Sequence, residues 1–404
     1  GVRPPTVTVR FLTPNNCPNR CWLATIAQNH IRIIMNRDNF SFSVTGTLLL
    51  PLLLMLMAGI AQAGDDECAA VGEYGFVCGM VSPEDLVLVP GTKWIIASGM
   101  APGAGMTLID SQQKTWSELY PADRPRAEQD MQTYGACPGT PDPNKFISHG
   151  LNIRAGENGH STLYVVGHGG REAIEVFDVD ASGEKPELTW TGCIMTPDAM
   201  AINSVASFSD GSLVATIPLQ TGKTIAEALG GAITGGVYQW SPGDAGFEMV
   251  QGTELPYANG IEVSTDEQEF FVATSGGHKI IAYSRSNPAR QLRATGTLTI
   301  IPDNLHMASD GRLVTAGLII DDPVCGNLAG EGEFDLDKFA ACPRPFIAMA
   351  VDPQTMEVED LASGPAIETF SNITMALQVD DELWIGTFAG DRVAYRSLKD
   401  LGSE

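Results

Sequence analysis

Beyond about residue 80, apolar and polar positions alternate in short runs separated by Gly, Asp and Pro turns, and helical spacing is scarce. Period-two runs bounded by turn residues predict strands, and many short strands in succession predict an all-β fold. The runs share one grammar. A polar residue opens a short strand, a turn follows, and a second apolar strand and then a third come after it. "EDLVLVPGTKWIIASG" opens at Glu84, and "HGLNIRAGENGHSTLYVVGHGGREAIEVFDVD" at His149. Further copies open at Asn203 ("NSVASFSDGSLVATI"), Asn259 ("NGIEVSTDEQEFFVATSGGHKIIAYSRS"), Asp303 ("DNLHMASDGRLVTAG") and Thr374 ("TMALQVDDELWIGTFAGDRVAYRS"). The starts lie roughly 45 to 70 residues apart. Six such units predict a six-bladed β-propeller, whose radial closure protects strand edges. A β-sandwich would not repeat this grammar.

Three stretches interrupt the pattern. Residues 113–146 are polar and Pro-rich and read as a long inter-blade loop. Residues 217–236 suggest a short helix with Gly turns. Residues 319–345 form an acidic insertion. Long loops on a rigid scaffold commonly shape a site.

Aligning the repeats places Glu84, His149, Asn203, Asn259, Asp303 and Thr374 in one slot, ahead of the innermost strand of each blade. The spacings Asn203 to Asp210, Asn259 to Asp266 and Asp303 to Asp310 are identical. Innermost strands line the axis, so equivalent positions meet around a central channel. Two carboxylates and two amides there predict a hard-cation site of calcium type, since calcium takes six to eight oxygen ligands. Zinc would call for more His or Cys. The alternative is a channel plugged by hydrogen-bonded polar side chains. His149 lies in the ring and can take a proton near neutral pH. His168 ends the second strand of the same blade, where it can orient His149. A metal-bound water reacting without His149 as base is the competing route. Tyr257 and Thr374 are expected to border the substrate. His306, His160 and His278 have no convergent partner in the sequence and receive no role.

The N-terminal part changes the domain picture. Arg37 follows Met35 and precedes an apolar run from Thr47 to Ile60, and Ala61-Gln62-Ala63 supplies small residues for cleavage. This predicts a signal peptide over 35–63, with residues 1–34 as upstream-translated sequence and 64–404 as the propeller. An uncleaved signal anchor is the alternative. The run is short for a membrane span. The formal charge of −25 becomes −29 once Arg3, Arg10, Arg20, Arg32, Arg37 and Asp38 are removed. Such a surface repels nucleic acid and anionic lipid. Six cysteines remain, which suits an oxidising compartment, periplasmic or extracellular. Local spacing favours Cys68–Cys78 and Cys325–Cys342, leaving Cys137–Cys193.

Several motifs are now in place in order: "PEDLVLVPGTKWIIASG", "SHGLNI" followed by "LYVVGH", "YANGIEVS", "PDNLHMASDG" and "LWIGTFAGDRVAYRSL". Together they resemble the paraoxonase/arylesterase family, within the gluconolactonase-like and strictosidine-synthase-like six-bladed propellers. The resemblance covers most of residues 80–398. It implies a catalytic calcium held by Glu84, Asn203, Asn259, Asp303 and Asn304, and a His149–His168 dyad. Asn304 enters only through the resemblance, because by alternation it points away from the slot residue. A second, structural calcium is also implied, on Asp85 and the carbonyl of Leu151, although Ser204 stands where the family has Asp. The family's closing cysteine at the C-terminus is missing. The expected activity is hydrolysis of a small-molecule lactone or aryl ester, with phosphotriester cleavage as a side reaction. A sugar-lactone hydrolase of gluconolactonase type and a non-enzymatic ligand-binding propeller are the alternatives.

Overall fold

The computed structural model describes residues 68–121, 125–327 and 335–399, together with the backbone of four short strands within residues 8–40. The chain separates into residues 1–67 and 68–404. In the first unit, Thr8–Val9, Trp22–Thr25, Arg32–Asn36 and Asn39–Phe40 pair antiparallel in chain order. The expected signal run Thr47–Ile60 and its cleavage residues lie outside the described residues.

The second unit is a six-bladed β-propeller. From the axis outward, blade 1 is Leu86–Leu88, Trp94–Ser98, Met106–Asp110 and Thr115–Tyr120. Blade 2 is Ile147–Ala155, His160–His168, Ala173–Asp180 and Glu187–Met195, and Arg126–Ala127 adds a parallel outer strand. Blade 3 runs from Val205–Ser207 through Leu213–Ile217 and Gly236–Trp240 to Glu248–Met249, and blade 4 from Ala258–Val263 through Glu269–Thr274 and Lys279–Ser284 to Gln291–Ala294. Blade 5 is Leu305–Met307, Leu313–Leu318, Phe346–Val351 and Val358–Gly364. Blade 6 takes Ile373–Val379, Glu382–Thr387 and Arg392–Ser397 from the end of the chain, and its outermost strand, Gly75–Cys78, from the beginning.

That last pairing closes the ring. The Cys68–Cys78 disulfide fastens the closing strand, and Gly79 and Met80 both donate their amides to the Asp391 carbonyl. Closure therefore needs no C-terminal cysteine. Cys137–Cys193 and Cys325–Cys342 are also bonded.

Six apolar clusters fill the six gaps between neighbouring blades. Leu86 and Ile95 pack against Val77, Met375 and Trp384 between blades 1 and 6, and Phe271 and Ile280 against Leu313 and Val351 between blades 4 and 5. Each middle strand is covered on both faces, which is why "WIIAS" and "LVATI" are apolar at successive positions and buried throughout. Burying one such side chain contributes about 1.5–3 kcal/mol. The Asp-Gly turns recur as read: the Asp210 and Asp310 carboxylates accept the amides of Ser212 and Arg312.

One expectation about the insertions changes, and the short helix expected within 217–236 is present. Residues 113–146 are not all loop, because Thr115–Tyr120 completes blade 1. Further on, Arg126–Ala127 pairs with the outer strand of blade 2, and the Tyr134 ring stacks on Trp240 at 6.0 Å. Within 217–236 the helix Ile225–Leu229 is started by a capping box, Thr224 with Glu227. Within 319–345 the helix Leu336–Ala341 is capped by Asp335. Among the described residues no helix is long and apolar enough to cross a membrane.

Candidate active site

All six slot residues, Glu84, His149, Asn203, Asn259, Asp303 and Thr374, line one cavity of about 240 Å3. They arrive by two routes. Glu84, Asn203 and Asp303 stand just before the innermost strands that begin at Leu86, Val205 and Leu305. His149, Asn259 and Thr374 lie inside their strands, at register shifts between Ser148 and Leu151, Ala258 and Ile261, and Ile373 and Met375. A β-bulge re-aims a side chain out of the normal alternation. This departs from the expectation that all six precede their strand.

Two of these bulges carry a glycine after the ring residue. A Cβ on Gly150 would stand 2.5 Å from the Asn203 carbonyl oxygen, and one on Gly260 2.4 Å from that of Asp303. Each glycine therefore lets one blade's ring residue meet the next blade's backbone. The Asn-Gly pair is a blade-to-blade contact here, where the dipeptide alone would suggest a hairpin turn.

The floor is crowded with oxygen. Glu84 Oε2, Asn203 Oδ1, Asn259 Oδ1 and Asn304 Oδ1 are buried and have no hydrogen-bond partner in the protein. Asn304 turns toward this floor after all, since its amide donates to Glu84 Oε1 at 2.7 Å. Asn259 is held by Ser275, whose hydroxyl accepts from Nδ2 at 2.9 Å and donates to the Pro302 carbonyl. The free Oδ1 is thereby left to the cavity. Burial, and then the neighbouring Asp85, push the Glu84 carboxyl well above the usual carboxylate range; burial and then Glu84 do the same to Asp303. Orphaned buried oxygens beside uncompensated carboxylates fit a hard divalent cation such as calcium. Among the described residues no group of three or more His, Cys, Asp or Glu could hold a metal, so such a site depends on the amide oxygens.

The histidines follow the expected order and extend it. His149 Nε2 is 3.5 Å from Glu84 Oε1. His149 Nδ1 is 3.0 Å from His168 Nε2. His168 Nδ1 in turn meets Glu172 Oε2 at 2.5 Å. Burial lowers the His149 pKa to about 4, against the pull of Asp85 and Glu172, so the ring is neutral near pH 7.

The second-ion position does not fit an ion. Asp85 Oδ1 accepts from the Leu86 amide at 2.9 Å and pairs with His306 Nε2 at 2.6 Å. Asp85 Oδ2 accepts at 2.7 Å from the amide of Leu151, the residue expected to offer its carbonyl. Ser204 is tied through its backbone to Thr216. No oxygen here is orphaned as those above are. His306, left without a role by the sequence, therefore fills the channel below the ring. Burial opposes its charge, but Asp85 and Glu262 overcome this and raise its pKa to about 9.

Comparison with known proteins adds likenesses in chain path. No family model matches the chain, and no curated protein does. A luciferin-regenerating enzyme aligns at 13% identity over 79% of this chain and 92% of its own, with a TM-score of 0.49. A gluconolactonase from Xanthomonas campestris aligns at 14% identity over 80% and 89%, with a TM-score of 0.47. Regucalcin, a calcium-binding protein from Agrobacterium tumefaciens, aligns at 9% identity over 79% and 90%, with a TM-score of 0.46.

Above the floor the walls turn apolar. Ile225 and Leu229 come from one insertion and Phe339 from the other, while Ile301, Leu318 and Phe388 come from the blades. The rings of Phe339 and Phe388 stack at 5.9 Å and 5°. Tyr257 lines the cavity with φ at +51°, a conformation rare for a bulky residue. Thr374 lines it too, but its hydroxyl is committed to the Glu84 carbonyl at 2.7 Å.

Reading the sequence missed Glu172, Ser275 and His306. Glu172 lies in the turn after His168. His306 is two residues beyond Asn304, so alternation puts the two on one face, but it sets that face opposite the slot residue Asp303, which is why alternation read neither into the channel.

Proposed function

We propose that the protein is an exported, calcium-dependent hydrolase of lactones or aryl esters with apolar substituents. One observation carries this reading: the partnerless buried oxygens of Glu84, Asn203 and Asn259 and a histidine oriented by His168 belong to residues that line one cavity, whose other walls are apolar. Glu84, Asn203, Asn259, Asp303 and Asn304 would hold the ion. Bound there, calcium would draw electron density from a carbonyl or phosphoryl oxygen and stabilise the oxyanion that forms.

The chain's own residues do the rest. His149 Nε2 faces the floor and takes a proton from water as the water oxygen bonds to the substrate carbonyl carbon. When the carbon–oxygen bond to the leaving group breaks, the same nitrogen returns the proton to the departing oxygen. Ile225, Leu229, Phe339 and Phe388 cover the rest of the substrate and keep bulk water out. The three disulfides support folding in an oxidising compartment.

A sugar lactone would need hydrogen-bonding groups on the walls, and the apolar wall disfavours that reading. The deciding experiment is a panel of lactones, aryl esters and phosphotriesters assayed with and without a calcium chelator. Apolar lactones or aryl esters should turn over and lose activity on chelation. Turnover that survives complete metal removal with the fold intact would sink the mechanism.

A further inference from the structure

We propose that Glu172 is a positioning residue that sets the tautomers of His168 and His149, so that His149 presents an unprotonated Nε2 to the site. The inference rests on the reading of His149 as the base and goes beyond it by extending the pair to a carboxylate–imidazole–imidazole row.

The row runs outward from the channel floor. A carboxylate accepts hydrogen bonds, so Glu172 Oε2 calls for a proton on His168 Nδ1. His168 Nε2 then carries a lone pair and must accept from its partner, which places a proton on His149 Nδ1. His149 Nε2 is left bare, on the side of Glu84. Without the carboxylate, His168 can carry its proton on Nε2 and donate it to His149 Nδ1. That puts the remaining His149 proton on Nε2 and turns the base into a donor. A third group that holds a base in its working tautomer is a general requirement of such rows.

The surroundings leave Glu172 free for this task. Arg171 binds Glu175 through two bonds of 2.7 Å, and Trp190 adds a third bond to Glu175. The two acids of "HGGREAIE" are thereby divided, one to the arginine and one to the histidine. The backbone of Glu172 is fixed separately, because its carbonyl accepts the amide and hydroxyl of Thr196 at 3.2 and 3.3 Å. Removing the carboxylate leaves those bonds in place. The side chain is 23% exposed, so Glu172→Gln is compatible with the fold.

Two measurements on the full chain test the proposal. The first needs no activity. Two-bond proton–nitrogen spectra of protein labelled with 15N-histidine, assigned with His149→Gln and His168→Gln, should show both rings protonated at Nδ1 at neutral pH. In Glu172→Ala both should move toward a mixture with the Nε2–H form. Unchanged spectra overturn the proposal. The second uses whichever ester or lactone is hydrolysed. Glu172→Gln should lower kcat about 10- to 100-fold with KM within twofold, Glu172→Asp should recover part of the loss, and Glu172→Gln should cost nothing more in a His168→Gln background. A loss that persists in full in that background overturns the proposal. If no substrate turns over, the hydrolase reading fails, and the tautomer spectra still decide the role of Glu172.

Discussion

The side-chain amide of Asn304 donates to Glu84 Oε1 at 2.7 Å, across 220 residues of chain, and joins blade 5 to blade 1 at the channel floor. Asn304 thus combines two contributions: a buried, partnerless Oδ1 and an Nδ2 that restrains a neighbouring carboxylate. Asn304→Ala removes both. Calcium affinity measured by titration calorimetry should fall by at least about tenfold, with an unchanged circular dichroism spectrum.

The pairing of His306 with Asp85 sets the number of ions. With both Asp85 carboxylate oxygens engaged, Asp85 offers no free oxygen to a second cation. Metal analysis after exhaustive dialysis against calcium buffer should give one ion per chain. A value of two would mean that His306 yields its place.

The metal-free site should respond to pH. The Glu84 and Asp303 carboxyls have ordinary values of 4.5 and 3.8, and the fold raises both, through burial first and then through neighbouring carboxylates. A group whose folded pKa lies above its unfolded one binds more protons when folded, so stability falls as pH rises. The Tm of chelated protein should therefore decline from pH 5 to pH 8. Saturating calcium should raise Tm most at the upper end, because the ion binds the ionised pair and favours the folded state. A calcium-induced rise that is greater at pH 5 than at pH 8 would contradict this.

Gly260→Ala tests the contact between blades. The added methyl would meet the Asp303 carbonyl oxygen at 2.4 Å and the Leu305 amide nitrogen at 2.6 Å. Backbone atoms give way poorly, so chemical denaturation should show a loss of about 1–3 kcal/mol, with weaker calcium binding because Asp303 shifts.

The Phe339–Phe388 stack closes the apolar wall. Phe339→Ala should raise KM several-fold for long-chain esters and little for acetyl esters, since contact with each substrate methylene is worth about 1–3 kcal/mol at most. Equal effects on short and long chains would place Phe339 outside the substrate's reach.

Much of the ring could be read in advance because a propeller converts a periodic sequence into angular symmetry. Residues at the same place in six repeats must meet at the axis, so Glu84, His149, Asn203, Asn259, Asp303 and Thr374 were found from spacing. The partners behind them were not. Ser275 reaches Asn259 from the far end of a hairpin, and Glu172 reaches His168 around a turn. No period links those residues.

The amino-acid sequence alone determined the all-β class, the six repeats and the polar slot, because alternation and turn chemistry are local and recur. The tertiary structure decided how the ring closes, with Gly75–Cys78 beside Arg392–Ser397. It also decided which side chains fill the channel. Strand pairing between distant segments depends on packing of the whole ring, and His306 takes the lower channel because Asp85 and Glu262 converge on it from other blades. The bulges that turn Asn259 and His149 inward are likewise products of blade-to-blade contact, made possible by the glycine that follows each.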